Sequence, residues 1–428
     1  MIFSELLSKF TTWSTLSEYL TSEAGGSLRI DDHSTAENPF ALIRYVKGKS
    51  NLALPHVRAF RSVVWDTLMH RPVSVTPFKS VDGESSPASL EGYDVEQFLD
   101  GVLIGVFFDK YNNKWRLHTR STLDANCRYY SQTKTFSAMF YDALPNGFGS
   151  WPVNMSASYI LQHPENRVVT PVSAPSSTLI QMTTITADGS IHTQANPALL
   201  VTGITTPDLL YQRLADLNMR FRHNVQGYVI KNRNTGERYK MRTSEYNRVR
   251  QLRGNSARRD YLWLSAWRDG SLAKYLALYP EERLESDKIV NQWKRATNDV
   301  FHIYTDVFKA RTLPKAQIPP KYRPLVYGLH TLYMDTLKPA QKSVDWKTVL
   351  GFMNSRDIAQ MLFVVNWEAR KAAEELGIKN GIPLEPPASV GTEVTTTVEA
   401  VAPADVKVGV ATQVTDETNT TTTSGVSV

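Results

Sequence analysis

The stretch Phe98-Leu99-Asp100-Gly101-Val102-Leu103-Ile104-Gly105-Val106-Phe107-Phe108 decides how the chain is read. An Asp-Gly pair opens a run of β-branched and aromatic residues, so Val102–Phe108 reads as a strand. Asn112–Asn113 follow as turn residues. Phe107–Trp115 therefore reads as a hairpin, with Asp109 to Lys114 as its loop. A single Asp-Gly beside a strand identifies nothing, so its neighbours on both sides have to be read as well.

From about Asn38 to Ile204 the pattern favours strands. Ser62–Trp65, Val73–Val75, Trp115–Thr119, Ser158–Leu161, Val168–Val172 and Thr178–Thr183 are short β-rich runs, with a further turn at Asp188–Gly189. Pro207 to Phe221 is helical in pattern, with Thr206 as N-cap and Pro207 at the first helical position. Val225–Ile230 and Glu237–Met241 read as a second hairpin around Asn234–Gly236. Beyond Ser244 the spacing turns helical over Tyr246–Leu278 and Ser286–Ala310. A proline-rich connector follows at Pro314–Pro324, then further helices between Leu325 and Leu376.

The N-terminus places Phe3, Leu6, Leu7, Phe10, Trp13, Leu16 and Leu20 at helical spacing. This predicts an amphipathic helix packed on the body, with a partner-binding helix as the alternative. From Gly381 the chain holds no aromatic residue and no arginine, and a disordered tail is expected. The expected organisation is a helical segment over 1–37, an α+β domain over 38–262, a helical domain over 263–380 and a tail over 381–428. No apolar run is long enough to span a membrane. The single Cys127 rules out an internal disulfide and fits a reducing, intracellular compartment. The net charge of +6 permits a polyanionic partner without requiring one.

The flanking motifs form an ordered series. Arg61-Ser-Val-Val-Trp-Asp66 comes first, then Pro77-Phe78-Lys79-Ser80-Val81-Asp82-Gly83-Glu84, then the Phe98–Ile104 stretch, then Trp115–Ser121. Tyr159-Ile160-Leu161-Gln162-His163 follows, then Gln226-Gly227-Tyr228-Val229-Ile230 and Tyr239-Lys240-Met241-Arg242. In order and spacing this series resembles the bacteriophage-type ATP-dependent RNA ligase family, within the covalent nucleotidyltransferase superfamily. The resemblance spans roughly Phe40 to Asp260. It implies an α+β fold with a ligase-type nucleotidyltransferase domain of antiparallel sheets and flanking helices, followed by an all-α C-terminal region. It also implies chemistry in which a lysine amine attacks the α-phosphate of ATP, with Mg2+ and cationic side chains offsetting phosphate charge.

The match breaks where that chemistry begins. The family's nucleophile lies in Lys-x-Asp-Gly. Here Asp100 and Gly101 fit, but Phe98 takes the lysine position, and Lys79 is the nearest fallback upstream. Gln162 and Gln226 stand where the family carries glutamates. Glutamine keeps the hydrogen bonding and loses the charge that a metal or a lysine would use. Arg61, Lys79, Lys240 and Arg242 match the family's phosphate-side basic residues, so the anion-binding half of the site is kept. No metal site is expected, and His118 and His163 read as ordinary satisfied histidines.

Arg213 to Asp260 carries thirteen basic residues against four acidic ones. Arg248, Arg250, Arg253, Arg258 and Arg259 suit phosphate contact with RNA, with nearby tyrosines for stacking. The alternative is an arginine-rich helix face paired with acids elsewhere. Three functions fit these readings. One is a catalytically degenerate ligase-fold protein that binds RNA or nucleotide phosphates and needs no cofactor. The second is an active enzyme with a displaced nucleophile, using ATP and Mg2+. The third is an assembly protein that reuses the fold as a scaffold. Protein partners are expected at the N-terminal helix or the helical C-terminal region. The resemblance also suggests a virus-associated context.

Overall fold

The computed structural model describes residues 2–32, 34–82, 87–131, 133–145, 147–148, 151–375, 378–379 and 382–383. Two helices, α1 (Ile2–Lys9) and α2 (Trp13–Thr21), open the chain, and Thr12 caps α2 by accepting from the Thr15 N–H. Their apolar stripes already have a partner within the chain. Phe3, Leu6, Leu16 and Leu20 are buried with Val57, Phe60 and Trp65.

Strands β1 (Arg29–Asp32), β2 (Phe40–Arg44), β3 (Val63–Asp66) and β4 (Arg71–Val75) form an antiparallel meander, interrupted by the short helix α3 (Pro55–Ala59). Arg29–Asp32 pairs with Ala41–Arg44, so this sheet crosses the boundary expected at 37/38.

Strands β5 (Val81–Asp82) and β6 (Tyr93–Gln97) then leave for another sheet. The expected hairpin follows as β7 (Val102–Asp109) and β8 (Lys114–His118), with Asp109 accepting from the Tyr111 and Asn112 N–H groups to close its turn. Helix α4 (Phe136–Ala143) leads to β9 (Met155–Gln162), β10 (Ser176–Ile185) and β11 (Ile191–Ala195). These form a five-stranded antiparallel sheet in the order β11-β10-β9-β7-β8, with α4 packed on it through Phe136, Met139 and Phe140.

Helix α5 (Pro207–Phe221) begins as expected, with Thr206 capping and Pro207 first. The second expected hairpin is β12 (Gly227–Asn232) with β13 (Arg238–Arg242). It completes a sheet in the order β5-β13-β12-β6, one face of which packs on α5 through Val95, Tyr228, Ile230 and Met241.

The remainder is helical: α6 (Ser244–Arg253), α7 (Arg259–Arg268), α8 (Leu272–Leu278), α9 (Arg283–Tyr304), α10 (Arg323–Leu332), α11 (Trp346–Asn354), α12 (Ile358–Val365) and α13 (Trp367–Glu375). The protein is thus an α+β fold with antiparallel sheets and a helical C-terminal region. The boundary expected at 262/263 falls inside α7.

The chain divides into two compact units, Met1–Trp367 and Glu368–Val428. In the second, Ile378–Lys379 pairs with Ile382–Pro383. The rest of the expected tail lies outside the described residues, as do Gly83 and Glu84.

One expected strand is absent. Val168–Val172 is irregular, because the Val169 and Thr170 N–H groups are bound by a carboxylate instead of a ladder. Helix α4 lies in a region expected to be all strand. Its cap, with Thr135 accepting from the Ala138 N–H, and its Phe136/Met139/Phe140 spacing account for it.

Candidate functional site

The Asp100 carboxylate is the anchor of the region. It is buried, and one oxygen accepts from the N–H groups of Val169 at 2.9 Å and Thr170 at 2.8 Å. The other accepts from the Tyr246 hydroxyl at 2.6 Å. Burial and the neighbouring charge of Asp100 raise the Tyr246 pKa, so this hydroxyl remains a donor. Asp100 thus ties the 168–170 segment to α6. Gly101 is required for a different reason. Its φ is +143°, and a Cβ there would come within 2.5 Å of the Leu161 carbonyl oxygen. The glycine lets the start of β7 lie directly against β9.

Phe98 stands two residues earlier, its N–H donating to the Gly227 carbonyl at 2.9 Å. The Arg242 guanidinium lies over its ring, 5.1 Å from the centroid. With the Gln226 amide oriented to donate to the Leu99 carbonyl at 2.9 Å, its oxygen accepts from Arg242 Nε at 2.9 Å and Nη2 at 3.3 Å. Phe98, Asp100, Gln162 and Gln226 line one cleft of about 460 Å³, with Leu217 and Phe221 of α5 on its apolar side. Four positions singled out in the sequence therefore meet in space, and a fifth, Arg242, holds two of them.

Strand alternation places the charges. The face of β13 that carries Arg242 also carries Arg238 and Lys240, and their cross-strand neighbours on that face include Lys231 on β12 and Glu96 on β6. This face looks toward the five-stranded sheet, since Lys231 Nζ donates to Gln181 Oε1 on β10 at 3.0 Å. Arg61, just before β3, joins the same layer. Its pKa falls to about 10, through desolvation first and then through Arg238, with Arg120 and Arg242 adding to the effect and Tyr45 opposing it. None of the groups acting most strongly on Arg61 is a carboxylate.

Burial lowers the Arg238 pKa against the pull of Glu96, and burial raises that of Glu96 against Arg238 and Lys231. Among the described residues, Arg238 Nε, Arg120 Nε and Glu96 Oε1 are buried without hydrogen-bond partners. Orphaned polar atoms at this density suit an interior that holds solvent or a ligand better than one packed shut. The motif comparison missed Arg120, Arg238, Lys231, Glu96 and Gln181. The period-two run Arg238-Tyr239-Lys240-Met241-Arg242 was the signal that could have found Arg238.

Other expected residues fall elsewhere. Lys79 Nζ donates to the neighbouring Ser80 carbonyl, and Lys79 is absent from the described lining of the cleft. Arg248, Arg250 and Arg258 are exposed, Arg248 pairing with Glu245 and Arg258 with Asp260. Arg253 is a correction. It is only 1% exposed and is bound to Glu282 at 2.6 Å, with Tyr130 and Tyr279 stacked on its guanidinium. It offers RNA no surface. Arg259 is half-buried beside the same Glu282, at 3.5 Å.

His118 is fully buried between the Ser62 and Ser74 hydroxyls at 3.0 and 2.8 Å, and desolvation lowers its pKa to about 4. It is a neutral core histidine. His163 caps a short turn by accepting from the Glu165 N–H. Among the described residues no three His, Cys, Asp or Glu side chains gather as a metal site requires. The cleft does not fit a divalent cation either. Both Asp100 oxygens are engaged within the protein, and Gln162 and Gln226 are uncharged. No helix among the described residues is long and apolar enough to cross a membrane.

No protein-family model matches the chain, and no curated protein matches it. Among solved structures it is similar to ATP-dependent ligases. One is a putative ATP-dependent DNA ligase from Aquifex aeolicus, 11% identical with a TM-score of 0.33, covering 85% of this chain and 80% of that one. Another is an archaeal ATP-dependent RNA ligase, form 1, 11% identical with a TM-score of 0.34, covering 82% of this chain and 88% of that one. Likenesses this distant carry no chemistry across, and the site's reading rests on its own geometry.

Proposed function

We propose that the chain is a degenerate ligase-type nucleotidyltransferase that binds RNA through its phosphates and makes no covalent bond to nucleotide. The observation that carries this reading is the Phe98–Arg242–Gln226 arrangement. Where the resembled family places an attacking amine, this chain has an aromatic ring covered by a guanidinium. A phenyl ring offers no lone pair for attack on phosphorus. Arg61, Arg120, Arg238 and Arg242 supply a cluster of guanidiniums suited to phosphate oxygens. Exposed Arg248, Arg250 and Arg258 extend the positive surface along α6 and toward α7. On this reading neither ATP nor Mg2+ is a reactant.

The test is binding of a 5′-phosphorylated single-stranded RNA as a function of salt, with the full chain. The reading requires affinity that falls linearly on a logarithmic salt axis and a shallower slope in Arg61→Gln. Absence of binding near roughly 50 mM salt would reject it.

A further inference from the structure

A second cavity, of about 690 Å³, opens at the other end of the charged layer. Its walls come from α1, β11 and the β12–β13 turn, and Lys231 and Gln181 form its floor. Lys231 lies four residues along β12 from Gly227, about 13 Å at ~3.3 Å per residue, so the cavity is separate from the Phe98 cleft. The volume is in the range of small-molecule sites, roughly 300–1,000 Å³.

The floor is polar, and the walls mix apolar with polar groups. Lys231 is only 5% exposed and Gln181 4%, and among the described residues the amine has one hydrogen bond, to Gln181 Oε1 at 3.0 Å. Among the described residues no carboxylate lies within ion-pair distance of it, and Glu96 and the cross-strand neighbour Asp94 act on it only from farther away. A buried ammonium with one partner is costly unless a counter-charge arrives. Phe78, Ile2 and Ile191 give the walls their apolar surface, and Phe78 presents a ring beside Gly236. Arg233 and His192 stand on the lining with Glu5 as the opposing acid, and Thr193, Asn234 and Thr235 add neutral polar groups.

We propose that this cavity binds a small aromatic anion, its ring against Phe78 and its charged group at Lys231. The inference does not depend on RNA binding at the Phe98 cleft. Desolvation lowers the Lys231 pKa, so a larger share of the amine is neutral near neutral pH than for a surface lysine. That makes the site testable with an aromatic anion that also carries an aldehyde.

The probe is pyridoxal 5′-phosphate with the full chain, followed by borohydride. The neutral Lys231 amine attacks the aldehyde carbon, a C=N bond forms and the oxygen leaves as water. Hydride from borohydride then reduces the imine to a secondary amine that peptide mapping locates. The expected result is labelling of Lys231 at least about tenfold faster than of the exposed Lys288, a rate ratio worth roughly 1.4 kcal/mol. Thr193→Trp, which fills the cavity from its wall and leaves Lys231 in place, should remove that advantage. Labelling of Lys231 no faster than of Lys288, or an undiminished rate in folded Thr193→Trp, would overturn the proposal.

Discussion

The Arg242 guanidinium is held by Gln226 at 2.9 Å and lies 5.1 Å above the Phe98 ring, so the three side chains act as one unit. A lysine placed at position 98 would therefore not by itself create nucleotide-transfer activity. Phe98→Lys removes a cation–π contact of about 0.5–2 kcal/mol and places an ammonium against a guanidinium. We expect a loss of roughly 1–3 kcal/mol in urea unfolding and no nucleotide transfer. Adding Gln226→Glu should recover part of the stability, and a double-mutant cycle with no coupling would count against the unit.

Asp100 predicts a purely structural defect. Tyr246→Phe leaves a buried carboxylate oxygen without its donor, and should cost about 1–3 kcal/mol. Circular dichroism against urea measures this. RNA affinity under conditions where the variant stays folded should remain close to that of the parent chain.

Glu96 and Arg238 should move RNA binding in opposite directions. Glu96 is a buried carboxylate acting on Arg238 and Lys231. Glu96→Gln should tighten RNA binding by several-fold, on the order of 1 kcal/mol. Arg238→Gln should weaken it and reduce the salt slope by about 1. Fluorescence anisotropy over a salt series reads both, and equal effects of the two variants would contradict the layer as a phosphate site.

The acid limb of stability should depend on Glu282. Burial by itself would raise its pKa, but Arg253 and Arg259, with the Tyr275 hydroxyl, outweigh this and hold it below the ordinary value. A depressed carboxylate contributes stability above its unfolded pKa, about 4.3, and loses it as pH falls through the lower folded value. Glu282→Gln should cost about 3–5 kcal/mol at neutral pH by stranding Arg253. It should also flatten the decline below about pH 4, as followed by thermal unfolding across pH.

Local chemistry was legible in the sequence, and long-range pairing was not. The cap and proline of α5 and the Asn234–Gly236 hairpin could be read because turn and cap residues act within a few positions. The meeting of Phe98, Gln226 and Arg242 was implied by motif order, although the guanidinium lying over the ring was not. Strand β1 escaped notice because Arg29-Ile30-Asp31-Asp32 has no apolar alternation and is held by its pairing with β2. Arg253 misled because an arginine bound to an acid 29 residues away looks, in sequence, like one facing solvent. Lys231 and Gln181 lie 50 residues apart, and only the facing of two sheets joins them.

On the proposed function, the Phe98 site binds phosphate without forming a covalent bond to it. The most direct measurement is incubation of the full chain with ATP labelled on the α-phosphate and Mg2+, followed by quantification of acid-labile label on the protein. No label above background is expected, in the parent chain and in Lys79→Ala alike. A stoichiometric adduct on any lysine, and above all one lost in Lys79→Ala, would contradict it.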